Sequence, residues 1–248
     1  MRGQAARLIL VAAALAAGCA TAPPGPPRLL VHVDTLSADK MQQFEQARVR
    51  FVALLREKGR SDRRGLYLKI GTNTYYSVVT FARWRDLEKL GDERAAANHA
   101  LAAEAQKYDQ LSDESLVFPH TSEIWREEPG LAYLPTGMRL PDAVQVVIEE
   151  VRPTADYEAA WQPIAAALAQ ARYPVERRAY FSGYGSGRTL SFWMAPSPAV
   201  LKAAPTIEQA VTGVVGEERA KQLLAAWRAC VVSAQTFDVE PKPEMSSP

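Results

Sequence analysis

Cysteine is scarce in this 248-residue chain, which has only Cys19 and Cys230. Two cysteines cannot form the several cross-links of a small disulfide-stabilised scaffold, and no C-x-x-C pair indicates a structural zinc site. Cys230 follows Leu223, Leu224 and Trp227 at helical spacing. We therefore expect Cys230 to be a small buried hydrophobic residue rather than a reactive thiol.

An excess of charge of one sign is also absent. The 29 lysines and arginines balance 28 aspartates and glutamates, so the formal net charge is +1. Without a basic face or tail the chain offers no electrostatic footprint for nucleic acid, and we expect no such partner. A composition of 48% hydrophobic and 23% charged residues is ordinary for a globular protein with a buried core.

Histidine is scarce too, and the three present are His32, His99 and His120. No two of them lie at i, i+4, and no carboxylate stands among them at ligand spacing, so we expect no metal site and no other cofactor. There is no G-x-S-x-G motif for a hydrolase nucleophile. The glycines at 183, 185 and 187 precede a predicted strand rather than a helix, which favours a hairpin turn over a phosphate-binding loop.

Long hydrophobic runs are missing except at the N-terminus. The uncharged segment Leu8–Ala17 follows Arg2 and Arg7 and ends before a proline-rich stretch. A transmembrane helix needs roughly 20 apolar residues, so this shorter run predicts a signal peptide over residues 1–18.

The end of that run resembles the bacterial lipobox, with Leu15-Ala16-Ala17-Gly18-Cys19 placing small residues before a cysteine. The resemblance implies that Cys19 is diacylated, which anchors the protein in a membrane. Because Ala20 rather than aspartate follows, it also implies the outer membrane of a bacterial envelope. Residues 19–28 then form a lipidated cysteine with a stiff proline-rich tether. The alternative is ordinary secretion, with cleavage after Ala22 at an A-x-A site.

The remaining chain contains an internal repeat. Ser37-Ala38-Asp39 recurs 117 residues later as Thr154-Ala155-Asp156 (156 − 39), each triplet suited to a helix N-terminus. The same offset pairs two apolar helical faces, namely Phe44, Ala47, Phe51 and Leu54 with Trp161, Ile164, Leu168 and Ala171. We therefore predict two repeats, 29–135 and 143–243, a linker over 136–142 and a short disordered tail over 244–248.

Each repeat reads strand, helix, hairpin, helix, strand. The predicted strands are 29–34, 66–70, 75–81 and 121–127 in the first repeat, and 144–149, 179–181, 189–194 and 234–240 in the second. This order predicts an α+β fold of two ferredoxin-like βαββαβ repeats with antiparallel sheets. Pro163 conflicts with the pattern, because it falls inside a predicted helix.

The step after the third strand, which contains Phe81, Trp84 and Leu87, resembles that of the dimeric α/β-barrel superfamily. This superfamily includes the antibiotic-biosynthesis-monooxygenase-like domains. The resemblance implies that the two repeats mimic a homodimer within one monomeric chain. It further implies that their sheets pair face to face as a pseudo-dimeric barrel, and that sheet and helices enclose an apolar pocket.

Six residues are candidates for such a pocket: His32, Tyr76, Trp84, His120, Arg188 and Trp193. We expect an envelope-anchored protein that is more a non-catalytic binder than an enzyme, with a small apolar ligand or an envelope protein bound between its repeats. The alternative is a cofactor-independent monooxygenase-like enzyme that acts on a small aromatic or quinone-like compound. An enzyme should enclose a cavity with convergent polar groups, whereas a filled barrel without them favours binding.

Overall fold

The computed structural model describes residues 27–61, 65–136, 143–152, 155–182 and 187–247. The predicted signal peptide, Cys19 and most of the tether lie outside the described residues. So do the helix-start residue Thr154, the turn at 183–186 and nearly all of the predicted linker. No helix in the described part of the chain is long and apolar enough to cross a membrane.

The first half carries four strands and three helices. They follow the order β1 (Arg28–Thr35), α1 (Met41–Glu57), β2 (Leu66–Ile70), β3 (Thr74–Phe81), α2 (Trp84–Ala100), α3 (Ala102–Ser115) and β4 (Thr121–Glu127). A 3₁₀ turn, Pro129–Leu131, leads toward the second half.

The second half repeats this order with one additional helix. Its elements are β5 (Ala143–Val151), α4 (Tyr157–Gln170), β6 (Glu176–Ser182), β7 (Arg188–Ala195), α5 (Pro198–Ala203), α6 (Ile207–Val215), α7 (Glu217–Cys230) and β8 (Val231–Pro241). Sequence reasoning missed α6, although Thr206 and Gln209 form a capping box at its start. Helix α4 runs through Pro163.

The eight strands form one closed barrel in the order β1-β3-β2-β8-β5-β7-β6-β4, with antiparallel neighbours throughout. The expectation that the two sheets pack face to face is therefore wrong. They join edge to edge, with Leu68 opposite Pro241 between β2 and β8 and Trp125 opposite Ser182 between β4 and β6. Edge pairing satisfies backbone groups that each half-sheet would otherwise leave open.

Alternation along the strands divides the hydrophobic core between the two faces of the barrel. One set of side chains fills the interior, namely Leu29, Val31, Leu68, Ile70, Trp125, Val144, Val146, Leu190, Phe192 and Met194. The outer face packs against the helices, around Phe44 and Phe51 in the first half and Trp161 and Leu168 in the second. Cys230 is buried in this outer layer, as predicted.

The predicted helical faces need one correction. Phe44, Phe51, Trp161 and Leu168 are buried, but Leu54 is only half-buried and Ala171 is exposed. Helix α4 ends at Gln170, so Ala171 is its C-cap and lies beyond the face that packs on the sheet.

The C-terminus does not form the expected disordered tail over residues 244–247. Pro243–Met245 forms a 3₁₀ turn, and Met245 is fully buried in the helix layer of the first half. Arg48 Nε donates to the Met245 carbonyl at 2.9 Å, and the Tyr67 N–H donates to Ser246 Oγ at 3.0 Å. A buried apolar side chain and specific backbone partners order this segment, so the end of the second repeat packs on the first.

Candidate functional site

A cavity of about 530 Å³ lies outside the filled barrel, between the sheet of the second half and helices α5–α7. Its apolar wall consists mainly of Val147, Val175, Trp193, Leu201, Ile207, Trp227 and Val231. Its polar wall includes Gln145, Glu149, Tyr173, Arg177, Ser233 and Thr236. This mixture of aromatic surface with a few polar groups is typical of small-molecule sites.

Strand alternation and helix capping build this cavity. Side chains of β5 alternate between faces, so Val144 and Val146 enter the barrel while Gln145, Val147 and Glu149 face the helices. The helical wall begins at two capped N-termini, where Ser197 Oγ accepts from the Val200 N–H and Thr206 Oγ1 from the Gln209 N–H.

Glu149 is the carboxylate of the cavity and is only 5% exposed. Its Oε2 accepts a short hydrogen bond from the Tyr157 hydroxyl and a 3.0 Å bond from Thr189 Oγ1. Arg177 Nη2 lies 3.5 Å from the same oxygen. All the hydrogen bonds described for this carboxylate go to Oε2, which leaves Oε1 to interact with a molecule in the cavity.

Arg177 is fully buried and supplies the positive charge beside Glu149. Its guanidinium donates to Ser191 Oγ from Nε (3.2 Å) and Nη2 (2.9 Å), and Nη2 also donates to the Tyr157 hydroxyl oxygen at 2.8 Å. The guanidinium carbon lies 4.1 Å from the Trp161 ring centroid. These contacts hold the cation in place, as a buried ion pair requires.

The Tyr157 hydroxyl links the two charged groups. Burial is the main cause that raises the pKa of Tyr157; the charge of Arg177 lowers it and the Glu149 carboxylate raises it, so that the resulting pKa is about 12. The phenol therefore remains protonated at neutral pH and can donate to Glu149. A fixed, buried carboxylate that lines an aromatic cavity, with the described hydrogen bonds all on one oxygen, can act as a general base on a bound molecule.

A second polar cluster lies on the outer face of the first half. His32 Nε2 is 3.3 Å from Asp34 Oδ1, and the His32 and His120 ring centroids are 4.8 Å apart. One ligand atom from each of these three residues lies within 4.8 Å of the others. The expectation that no carboxylate stands among the histidines at ligand spacing is wrong, because strand pairing brings His120 to His32 and Asp34.

A third cluster occupies one mouth of the barrel. Arg188 Nη2 donates to Glu123 Oε1 at 2.7 Å, and the guanidinium lies over Trp125 at 5.4 Å. Burial raises the pKa of Tyr76, and the negative charge of Glu123 adds to this effect while Arg188 opposes it. These side chains complete the barrel end and do not line the cavity.

The structure thus separates the six predicted pocket residues. His32 and His120 lie in the first-half cluster, Tyr76 and Arg188 at the barrel mouth, and Trp193 in the cavity wall. Trp84 stands apart, 50% exposed under the guanidinium of Arg28.

Sequence reasoning missed Glu149, Arg177 and Tyr157. A usable signal was present for the first of these, because Glu149 stands between Val147 and Val151 on the helix-facing side of a mostly apolar strand. A charge at such a position needs a buried partner. The identity of that partner, on another strand, could not be read from spacing.

No protein-family model matches the chain, and no curated protein matches it. Solved structures do match over nearly the whole length. A protein of Fusobacterium nucleatum described as a candidate monooxygenase covers 88% of this chain and 93% of its own, at 10% identity and a TM-score of 0.56.

Two further structures share the architecture. A candidate monooxygenase of Lactobacillus acidophilus covers 87% of this chain and 94% of its own, at 8% identity and a TM-score of 0.52. An anthrone oxidase-like protein covers 88% and 92%, at 13% identity and a TM-score of 0.50. At such identities the likeness establishes the fold, a mixed α/β structure of the dimeric α/β-barrel type.

These neighbours correct the main functional expectation. Each is named for an oxidative enzyme activity, so the comparison favours an enzyme over the non-catalytic binding or structural protein expected from the sequence. The expectation that the chain is more a non-enzyme than an enzyme is corrected with it. The cavity is compatible with this correction, because the buried ion pair of Glu149 and Arg177 is part of its lining.

Proposed function

We propose that the protein is a cofactor-independent monooxygenase-like enzyme that acts on a small aromatic or quinone-like compound in the second-half cavity. The observation that carries this proposal is the buried Glu149 carboxylate, which faces an aromatic cavity while Arg177, Tyr157 and Thr189 hold its other oxygen. The anthrone oxidase-like neighbour supports the substrate class, since anthrone has an acidic methylene between two aromatic rings.

The cavity suits such a substrate in size and surface. A volume of about 530 Å³ lies within the range of roughly 300–1,000 Å³ that accommodates small organic ligands. Trp193 and Trp227 offer flat apolar surface for stacking, and Tyr173 offers a polar edge. The substrate would lie against the outer face of β5, with its acidic group toward Glu149.

The residues provide a route to oxygenation. Glu149 Oε1 would remove a proton from the acidic methylene, which leaves an electron-rich carbanion delocalised over the rings. This carbanion reduces dioxygen directly, so the methylene becomes a carbonyl and the remaining oxygen atom leaves as water. Arg177 offsets negative charge next to the base, and Val147, Val175 and Trp193 provide apolar surface beside the carbanion.

Oxygen consumption with anthrone as the probe substrate tests this proposal. Glu149→Gln removes the base but keeps the shape and the ability to accept hydrogen bonds from Thr189 and Arg177. We expect kcat for oxygen uptake to fall by at least about 100-fold, in the range typical of general-base removal. Circular dichroism and thermal unfolding would establish that the variant folds.

Glu150→Gln is the matched control, because it makes the same chemical change one residue away, on the opposite face of β5. Glu150 is exposed and does not line the cavity, and the bond it accepts from Ser233 Oγ at 3.3 Å can also be accepted by the glutamine oxygen. Its oxygen uptake should stay within about twofold of the wild type. Equal rates in the Glu149→Gln and wild-type proteins would refute the assignment of Glu149 as the base.

We also propose that the enzyme is held at the bacterial outer membrane through acylated Cys19, with residues 20–27 as a spacer. The support is the lipobox-like sequence and the firm anchoring that two or three acyl chains provide. Cys19→Ser should abolish incorporation of labelled palmitate and leave an uncleaved precursor. A mature N-terminus at Thr21 or Pro23 without lipid would refute this proposal and support ordinary secretion.

The halves are best interpreted as two ferredoxin-like repeats. The order β4-β1-β3-β2 recurs as β8-β5-β7-β6, which supports descent of both half-sheets from one βαββαβ plan. We expect the barrel, closed within one chain, to be a monomer, which size-exclusion chromatography with light scattering would test.

A further inference from the structure

The His32–Asp34–His120 cluster combines two strands of the first half. His32 and Asp34 lie two residues apart on β1, so their side chains share one face of the sheet. His120 directly precedes β4, which pairs with β1 so that His32 lies opposite Ser122. Two imidazoles and one carboxylate therefore meet at one place outside the barrel, far along the chain from the proposed catalytic base.

Asp34 is the unusual member of this cluster. It is only 1% exposed, and its Oδ2 has no hydrogen-bond partner among the described residues. A buried carboxylate oxygen without a partner carries a large desolvation cost. The described neighbours offer Asp34 only the His32 ring, at 3.3 Å from Oδ1.

The second half shows what a buried carboxylate at this position needs. Asp34 is the seventh residue of β1, counted from Arg28, and Glu149 is the seventh residue of β5, counted from Ala143. Glu149 has Arg177 beside it, together with two hydroxyl donors. The corresponding carboxylate of the first half has histidines in place of a guanidinium, and histidine is a ligand for metal ions.

The two ring nitrogens of His32 have the surroundings of a metal-binding histidine, with one nitrogen next to a hydroxyl and the other next to a carboxylate. Its Nδ1 lies 2.9 Å from Ser122 Oγ. When the ring donates Nδ1–H to that hydroxyl, the Nε2 lone pair points toward Asp34. A lone pair and a carboxylate oxygen at 3.3 Å repel each other unless a cation lies between them, and a hydrogen bond from the second ring nitrogen is the usual support of a metal-bound imidazole.

We propose that the first half binds a divalent transition-metal ion through His32 Nε2, the Asp34 carboxylate and the His120 imidazole. Ligand atoms around an ion bound at about 2.1 Å lie roughly 3.0–3.5 Å apart, which matches the His32–Asp34 separation. The third ligand atom lies within 4.8 Å, and the His120 side chain is exposed and can rotate inward. This site is separate from the proposed oxygenase cavity and does not depend on it.

The donor set defines the chemical class of the ion. Imidazole nitrogen with a single carboxylate suits Zn²⁺ and its first-row neighbours, whereas Ca²⁺ and Mg²⁺ prefer sites made of oxygen atoms. Three protein ligands leave at least one coordination position for water, because His120 and Ser122 are exposed. The site is therefore an open metal site rather than a closed structural one.

Isothermal titration calorimetry of the purified full chain with Zn²⁺ tests the proposal. We expect one ion per chain with a micromolar or lower Kd, together with a d–d absorption band when Co²⁺ is the probe. Asp34→Asn and His120→Ala should each weaken Zn²⁺ affinity by at least about 100-fold. Ser122→Ala removes only the support of His32 and should weaken affinity by about 10-fold.

His99→Ala is the matched control, because His99 is an exposed histidine on α2 outside the cluster. Its affinity should equal that of the wild type. The His120→Ala variant should fold normally, since this exposed side chain contributes little to the core, so a loss of Zn²⁺ affinity in it would not be caused by misfolding. Wild-type protein that binds no Zn²⁺, or binds it equally well after His120→Ala, would overturn the proposal and leave His32 as a hydrogen-bond partner of Asp34.

Discussion

Each half of the barrel has a buried carboxylate at the seventh position of its first strand, but the side chains around the two carboxylates differ. Glu149 in the second half has a fixed guanidinium and a phenol beside it. Asp34 in the first half has two histidines nearby, and its Oδ2 has no hydrogen-bond partner in the described part of the chain. On similar backbones, Glu149 is neutralised by an arginine of the chain itself. We propose that Asp34 is instead neutralised by a metal ion from solution.

The two halves also differ in the position of their buried arginine, which lies on a strand in the second half and on a helix in the first. Arg177 projects from β6 toward Glu149, whereas Arg48 projects from α1 and donates to the Met245 carbonyl. Arg48 also lies 4.9 Å from the Tyr67 ring centroid, so it serves the helix layer and the chain end. In one half the arginine pairs with a buried carboxylate, and in the other it holds the C-terminal segment.

The largest expected effect comes from removal of the cation of the second half. Arg177→Met leaves Glu149 buried without its ion-pair partner, which should lower the free energy of unfolding by about 3–5 kcal/mol. Addition of Glu149→Gln should restore at least half of this loss, because the unpaired charge is then gone. Urea unfolding measures both values. A double variant as unstable as Arg177→Met would show that packing of the arginine, not its charge, stabilises this half.

The C-terminal segment gives the next largest effect, in the first half. Met245→Ala removes a fully buried side chain and should lower the free energy of unfolding by about 2–4 kcal/mol. The neighbouring exposed residue provides the control, since Glu244→Ala should change stability by less than about 0.5 kcal/mol. Equal stabilities of the two variants would mean that the segment does not contribute to the first-half core.

A smaller effect concerns the phenol of the second half. The pKa of Tyr157 is about 12, above its ordinary value of about 10, so protonated Tyr157 stabilises the fold below about pH 10 and this contribution disappears as pH rises through 12. Between about pH 9 and pH 11.5 the free energy of unfolding of the wild type should fall by about 2 kcal/mol more than that of Tyr157→Phe. Parallel unfolding curves for the two proteins over this range would contradict a raised pKa of buried Tyr157.

Local pattern predicted much of the fold. The predicted bounds of strands 66–70 and 121–127 are the same as those in the structure. Alternating side chains and β-branched residues are typical of strands and can be recognised from a short segment alone. The sites could not be predicted in this way. Glu149, Tyr157 and Arg177 come from three separate elements, and His120 reaches His32 only through the β1·β4 register. Such contacts depend on strand pairing across distant segments, which spacing along one chain does not encode.

Of the two carboxylates that accept a hydrogen bond from a tyrosine, we propose that the one in the second half acts as a base and that the one in the first half does not. The first half offers a close match, since the Tyr75 hydroxyl donates to Glu45 Oε1 at 2.5 Å without facing the cavity. The direct test is oxygen uptake with the probe substrate in Glu149→Gln and Glu45→Gln. We predict a loss of at least about 100-fold in the former and a change within about twofold in the latter. Equal loss in both, or full activity in Glu149→Gln, would contradict the assignment of Glu149 as the catalytic base.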